Sequence, residues 1–163
     1  MFLMRNGFYN KNDNWETPIE YWKVLLPYIP KNLTIHDPFY MNGNSKKKWL
    51  RLGKEIIHEK KDFFLIKKND TKEIYISNLP YSKCNNVFKH LFQLDKPFIM
   101  LIPLNKLGHI KLQKILKGKK LQLIISPIYK GFINEKGEKT RCPANYLCYL
   151  CYNINLKQDI LFI

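Results

Sequence analysis

The chain has no apolar run long enough to cross a membrane, and its apolar start at residues 1–4 is too short for the core of a signal peptide. It has no low-complexity linker and no internal repeat, which argues against a solenoid or a string of modules. With 163 residues, 45% of them hydrophobic, it can bury a core of its own. We therefore expect a soluble, intracellular protein in which residues 1–163 form a single domain.

Cysteine is scarce, with four residues, and a disulfide framework is not expected inside a cell. Cys148 and Cys151 have the spacing of half a zinc site, but residues 145–152 around them are predicted to form a strand. Residues three apart on a strand point to opposite faces, so this pair cannot bind one metal ion. The sequence predicts buried, reduced thiols and no metal site.

Acidic residues are few, 13 against 28 basic residues, and the formal net charge is +15. Such a balance favours a polyanionic partner, with nucleic acid as the first candidate. Lysine provides 25 of the basic residues, however, and an AT-rich coding sequence produces the same bias without selection for binding. Each lysine cluster taken alone, including the one at residues 46–48, is typical of a solvated surface.

Hydrophobic patterning alternates between strand and helix along the chain. Strands are predicted at residues 33–37, 55–58, 74–77, 98–102 and 121–125, and the run at 98–102 suits a strand buried on both faces. Residues 128–132 and 145–152 are predicted to form an antiparallel hairpin around a turn at 134–137. The expected fold is therefore α/β, with a doubly wound, mostly parallel sheet and a C-terminal antiparallel hairpin.

The segment Asn78-Leu79-Pro80-Tyr81 directly follows the predicted strand at 74–77. Open α/β sheets form their ligand sites at the carboxyl ends of strands. The Asn78 amide oxygen and the Leu79 carbonyl are two hydrogen-bond acceptors, and the Tyr81 ring can stack on a planar base. The segment therefore predicts a site that holds an exocyclic amine.

Acidic residues end the first two predicted strands, at Asp37 and Glu59. A carboxylate at a strand end can accept hydrogen bonds from both hydroxyls of a ribose, and Gly43 allows the backbone to approach a ligand closely. Asp62 would accept a bond from an adenine amino group, with Phe63 as an apolar wall. Taken alone, Asp37 also fits a helix cap or turn residue, and Glu59 also fits a surface carboxylate.

Four motifs follow one another along the chain: Trp15-Glu16-Thr17-Pro18, Asp37-Pro38-Phe39-Tyr40 with Gly43, Asp62-Phe63-Phe64, and Asn78-Leu79-Pro80-Tyr81. Their order resembles that of S-adenosylmethionine-dependent amino-group methyltransferases, specifically the compact adenine-N6 methyltransferases of phages, large DNA viruses and some protists. The resemblance covers residues 13–152, which is nearly the whole chain. It implies a Rossmann-like methyltransferase sheet, the cofactor S-adenosyl-L-methionine and methyl transfer to N6 of adenine in DNA. If the chain is viral, it would work in the cytoplasm or nucleus of a host.

The resemblance also assigns roles to residues at matching positions. Asn78, Leu79, Pro80 and Tyr81 would form the catalytic motif that holds the target base, and Asn78 would also contact the cofactor. The methionine side of the cofactor would be lined by Trp15, Thr17 and Pro18. Its amino-acid portion would be held by Asp37, Phe39, Tyr40, Gly43 and Asn44. Its ribose and adenine would be bound by Glu59, Asp62 and Phe63.

Two departures from the family pattern leave alternatives open. Leu79 stands where proline is usual, and the Asn-Leu-Pro-Tyr variant also resembles ribosomal-RNA adenine dimethyltransferases, so RNA is an alternative to the favoured DNA. Gly43 is a single glycine where the fold often has two or three, and no separate target-recognition domain is predicted. A catalytically inactive nucleic-acid-binding subunit is therefore a second alternative. Methylation of a protein glutamine or a small-molecule amine is a third, because the same motif suits any planar amine. Specificity would come from loops, from a second copy of the chain in a homodimer, or from a partner subunit.

Overall fold

The computed structural model describes residues 15–128, 130–134, 137–138 and 146–163. Its helices are α1 (Glu20–Lys23), α2 (Asn44–Arg51), α3 (Cys84–Leu94) and α4 (Ile110–Leu116). Its strands are β1 (Thr34–His36), β2 (Ile56–Ile57), β3 (Glu73–Asn78), β4 (Phe98–Pro103), β5 (Leu121–Ile125), β6 (Leu147–Tyr152) and β7 (Ile160–Phe162). Short 3-10 helices lie at Leu26–Tyr28, Phe63–Leu65, Tyr81–Lys83 and Leu104–Gly108. In this part of the chain no helix is long and apolar enough to cross a bilayer.

The strands form one seven-stranded sheet in the order β2-β1-β3-β4-β6-β5-β7. β1 pairs in parallel with β2 and β3, β3 pairs in parallel with β4, and β5 pairs in parallel with β7. β6 runs antiparallel to both of its neighbours, β4 and β5. The predicted α/β class, the mostly parallel sheet and the C-terminal antiparallel pair are therefore confirmed.

The antiparallel pair is not formed by the predicted hairpin partners. β6 pairs with β5, so that Tyr149 lies opposite Ile124, and residues 130–132 form no strand. The Tyr21 hydroxyl donates to the Lys130 carbonyl at 3.0 Å, and the Phe132 ring stacks on the Tyr21 ring with centroids 5.6 Å apart. The Phe132 side chain packs into the core, and the Lys130 carbonyl is bonded by the Tyr21 hydroxyl instead of by a neighbouring strand. Residues 129, 135, 136 and 145 of the predicted hairpin and its turn lie outside the described residues.

Alternating residues of the strands fill two cores, one on each face of the sheet. Ile99 and Leu101 of β4 pack on the face covered by α1 and α2, with Trp49 of α2. The other face, with Met100 and Ile102, is covered by α3 and α4. Every residue of β4 is buried, which confirms the prediction for residues 98–102. Helices therefore cover both faces of the sheet.

The cysteines of β6 point to opposite faces, as the strand prediction required. Cys148 belongs to the core under α3 and α4, and Cys151 belongs to the core under α1 and α2. Burial raises the pKa of Cys148 to about 12 and the pKa of Cys84, at the start of α3, to about 11; it also raises the pKa of Cys151. These three cysteines are free thiols, and Cys142 lies outside the described residues. The described residues contain no group of three or more His, Cys, Asp or Glu placed to hold a metal ion.

We expect the three buried thiols to resist alkylation while the protein is folded. The thiolate is the reactive form, and a pKa of about 11 leaves on the order of one thiol in a thousand ionised at pH 8. A Cys142→Ser variant should therefore take up almost no maleimide in buffer but three equivalents in urea, as measured by intact mass. Fast labelling of Cys84 in buffer would contradict its burial.

Candidate functional site

The strand order reverses between β1 and β3. From β1 the chain crosses to β2 on one side and then returns to β3 on the other side. In open α/β sheets the ligand crevice lies outside the carboxyl ends of the strands at such a reversal. Asp37 directly follows β1 and Asn78 is the last residue of β3, so both lie at this crevice.

A cleft of about 660 Å³, including its open mouth, occupies this position. Nine of the residues predicted from the sequence line it: Trp15, Thr17, Asp37, Phe39, Tyr40, Asn78, Leu79, Pro80 and Tyr81. Five further polar residues also line it, and the sequence assigns them no role: Glu16, Asn42, Ser45, Lys48 and Ser77. The fold thus brings together the first and last predicted motifs, which are about 60 residues apart in the chain.

Glu59 and Asp62 lie in a second groove rather than in this cleft. The second groove has a volume of about 1440 Å³ including open solvent, and Pro38 contributes to its wall. Because Pro38 stands between Asp37 and Phe39 of the cleft, the two grooves adjoin at this segment. The predicted cofactor residues are therefore divided between two neighbouring depressions.

The two acidic residues of the second groove also have local partners. Glu59 is exposed and contacts the Lys61 ammonium at 2.5 Å, and this hydrogen bond lowers the pKa of the Glu59 carboxyl. Asp62 Oδ1 accepts from the Phe64 backbone N–H at 2.9 Å and so caps a 3-10 helix. Phe63 is fully buried with its ring 5.1 Å from the Phe39 ring, so it lies in the core beneath the cleft. Their roles in binding ribose and adenine stay predictions.

The Asp37 carboxylate is 3% exposed and joins three segments of the chain. Oδ1 accepts from the Ser77 hydroxyl at 2.6 Å and from the Phe39 backbone N–H at 3.3 Å, and Oδ2 accepts from the Ser45 hydroxyl. These bonds hold the end of β3 and the first turn of α2 against the loop that follows β1. A carboxylate offers roughly four acceptor positions, so Asp37 can still accept from a ligand.

The Asn78 amide has one satisfied atom and one unsatisfied atom. Nδ2 donates to Thr17 Oγ1 at 3.0 Å. Oδ1 is buried and has no hydrogen-bond partner among the described residues. An unpaired buried acceptor costs about 1–3 kcal/mol, so such an atom calls for an explanation and suits a ligand donor. Leu79 and Pro80 are buried beside it, and Tyr81 begins a 3-10 helix.

A polar network around Glu16 holds Thr17 beside Asn78. The backbones of Glu16 and Ile133 exchange hydrogen bonds of 2.8 and 3.1 Å. The Glu16 carboxylate accepts from the Lys48 ammonium at 2.6 Å and from the Asn44 amide at 2.9 Å, and Lys48 also donates to the Thr17 carbonyl. Burial alone would raise the pKa of Glu16, but the bonds from Lys48 and Asn44 outweigh it and leave that pKa below its usual range.

The loop between β1 and α2 is closely packed at Gly43, which caps α2. Gly43 has φ of 77°, and a Cβ atom there would lie 2.9 Å from the Tyr40 hydroxyl. The Tyr40 ring stacks on the His58 ring with centroids 4.9 Å apart. His58 Nδ1 donates to the Asp37 carbonyl at 2.8 Å, because a carbonyl can only accept. The close approach that Gly43 permits is therefore to the loop's own Tyr40. Gly43, Asn44 and the buried Pro18 are predicted cofactor residues that do not line the cleft, although Asn44 bonds to Glu16, which does.

Ser77 and Lys48 are the residues of the site that sequence reasoning most clearly missed. Ser77 is 2% exposed in an otherwise apolar stretch, and a buried hydroxyl requires a partner, which was the available signal. The lysine cluster at residues 46–48 predicts a solvated side chain for Lys48, but that side chain is only 13% exposed. Its distance in the chain from Glu16 left no local pattern to detect.

No family model, no curated protein and no solved structure matches this chain. Function is therefore inferred from the motifs and from the geometry of the cleft.

Proposed function

We propose that the chain is a methyltransferase of Rossmann-like fold that uses S-adenosyl-L-methionine to methylate the N6 amino group of adenine in DNA. The observation that carries this proposal is the buried, unpaired Oδ1 of Asn78 at the point where the strand order reverses. An acceptor there, followed by the Leu79 carbonyl and the Tyr81 ring, suits an amine on a planar base. The order of the four motifs supports a methyl donor on the neighbouring side.

The residues of the cleft fit this cofactor. Asp37 keeps an acceptor position for the amino group of the methionine portion. Thr17 bonds directly to Asn78, so the predicted cofactor motif lies against the predicted catalytic motif. The groove containing Glu59 and Asp62 adjoins the cleft and would receive the ribose and adenine. When bound, the cofactor supplies an electrophilic methyl group on a sulfonium centre.

The residues of the catalytic motif would act by positioning and by stabilising charge. The adenine amine is a weak nucleophile because its lone pair is delocalised into the ring. Asn78 Oδ1 and the Leu79 carbonyl would accept its two hydrogens, which orients the nitrogen and stabilises the positive charge that develops on it. Tyr81 would pack against the base once it has left the duplex stack.

The proposal is tested by incubating the purified chain with methyl-labelled cofactor and either DNA or RNA, then identifying nucleosides by mass spectrometry. We expect N6-methyladenine from DNA. Methylation of RNA alone would assign the RNA alternative, and cofactor binding by calorimetry without any methylated nucleoside would assign the inactive subunit. The proposal would be overturned if calorimetry detects no binding of the cofactor and no methylated nucleoside is formed.

A further inference from the structure

The basic residues are distributed unevenly between the two helical layers. Residues 83–120, which include α3, the 3-10 helix Leu104–Gly108 and α4, contain nine lysines and one acidic residue, Asp95. Asp95 pairs with Lys68, from outside this segment, at 2.9 Å. Residues 15–73, which include α1 and α2, contain twelve basic and eight acidic residues. The excess positive charge is therefore concentrated in the layer formed by residues 83–120, called here the lysine layer.

This distribution distinguishes two explanations of the net charge. A coding bias towards lysine adds lysines along the whole chain, but it does not remove acidic residues from one layer. Lys106, Lys111 and Lys114 form no ion pair with any residue that the structure describes. Uncompensated charge of one sign on a single face is the electrostatic footprint of a polyanion-binding surface.

The lysine layer reaches the candidate site through the 3-10 helix Leu104–Gly108. This helix follows the carboxyl end of β4, in which Leu101 pairs with Asn78. Burial raises the pKa of the Cys84 thiol, and the charge of Lys106 opposes that rise, which places Lys106 near Cys84. Cys84 directly follows the 3-10 helix Tyr81–Lys83. Lys106 thus belongs to the 3-10 helix that connects the carboxyl end of β4, the strand beside Asn78, to α4.

The geometry of α4 suits the backbone of a nucleic acid. Lys111 and Lys114 are exposed and one turn apart, about 5 Å along the helix axis, so that both can contact one stretch of phosphates. An anionic membrane surface fits less well, because a lipid-binding helix needs a broad exposed apolar face. On α4 the apolar Leu112 is buried, and Ile110 is the apolar residue that is mainly exposed.

We propose that the lysine layer binds the phosphate backbone of the nucleic acid whose base enters the Asn78 cleft. This inference rests on the proposed function for the identity of the bound polymer. It adds the direction from which the polymer approaches, across α4 and the 3-10 helix Leu104–Gly108 towards Tyr81. The layer would supply the part of the affinity that is independent of sequence and sensitive to salt.

Two charge-matched variants test this surface. The first is Lys106→Gln with Lys111→Gln and Lys114→Gln, and the control is Lys23→Gln with Lys31→Gln and Lys54→Gln. Lys31 and Lys54 precede β1 and β2, so they lie at the opposite edge of the sheet from the cleft; Lys23 and Lys31 are exposed and Lys54 is half-buried. Both variants lose the same net charge, so that only the position of the charge differs.

Binding is measured by fluorescence anisotropy of a labelled DNA duplex of mixed sequence over a series of salt concentrations. Each phosphate contact contributes about 0.9 to the slope of log affinity against log salt. In the first variant the magnitude of this slope should fall by about 2–3, and the affinity at 0.1 M salt should fall by at least about a hundredfold. In the control the magnitude of the slope should fall by less than about 1. Equal losses in both variants, or no loss in the first, would overturn the inference.

This measurement is independent of methyl transfer because it needs neither cofactor nor turnover. If DNA binding depends on the lysine layer but no methylated nucleoside forms, the surface stands and the proposed activity fails. If methylation occurs and both variants bind the duplex equally well, the proposed activity is supported and the phosphate-binding role of the lysine layer is wrong. Binding of the unmodified chain to phosphatidylserine vesicles but not to the duplex would also overturn the inference.

Discussion

Asn78→Ala is expected to reduce methyl transfer to DNA by at least about 10²–10³-fold while the protein stays folded. The change removes the buried Oδ1 that would accept a hydrogen of the target amine and frees Thr17 from its bond to Nδ2. Stability should change by less than about 1 kcal/mol, because the lost hydrogen bond is offset by removal of an unpaired acceptor. Initial rates with methyl-labelled cofactor, together with urea unfolding, measure the two effects separately.

Asn78→Asp provides the matched control for this substitution. Its carboxylate keeps an acceptor for the amine, and its second oxygen can accept from the Thr17 hydroxyl. We therefore expect a rate between those of the unmodified chain and Asn78→Ala. If Asn78→Ala transfers methyl groups within tenfold of the unmodified rate, the acceptor role assigned to Asn78 is wrong.

Asp37→Ala is expected to destabilise the protein by about 2–5 kcal/mol and to abolish cofactor binding. The substitution leaves the hydroxyls of Ser45 and Ser77 without their acceptor, in a place where Asp37 was 3% exposed. In a domain of this size each kcal/mol corresponds to about 2–4 °C in melting temperature. Thermal unfolding and calorimetric titration with S-adenosyl-L-methionine measure the two losses.

The structural and ligand-binding roles of Asp37 can be separated by a combined variant. Asp37→Ala together with Ser45→Ala and Ser77→Ala removes the two unpaired hydroxyls, so part of the lost stability should return. Cofactor binding should remain absent, because the acceptor for the amino group is still missing. Cofactor binding by this stabilised variant would show that Asp37 acts only as a structural link.

The candidate cleft was accessible from sequence because it depends on the direction of strands. Residues that follow parallel strands meet at one edge of the sheet, so a strand prediction at 33–37 and another at 74–77 was enough to bring Asp37 and Asn78 together. The polar network around Glu16 could not be predicted from the direction of the strands. The pairing of Glu16 with Lys48 depends on how α2 packs against the segment bonded to Ile133, and no local pattern records that packing.

The errors in the sheet arose where long-range pairing decided the outcome. The turn-forming residues at 134–137 predict a local hairpin. In the structure Phe132 packs into the core, and β6 pairs with β5, which is more distant in the sequence. β7 was not predicted because its three residues are too short to show a period, and Phe162 at its end is 73% exposed. Glu59 and Asp62, to which the resemblance assigns the ribose and adenine, lie together in the second groove.

The position of β6 has a consequence for the order in which the chain folds. The four strands β2, β1, β3 and β4 are neighbours built from consecutive segments, complete once residue 103 has been synthesised. β5 joins them only through β6, which is synthesised later, so β5 and β7 must wait for a non-local strand to dock. We therefore expect the crevice between Asp37 and Asn78 to form early in folding. Thr17, which is held through Glu16 and Ile133, would reach Asn78 late.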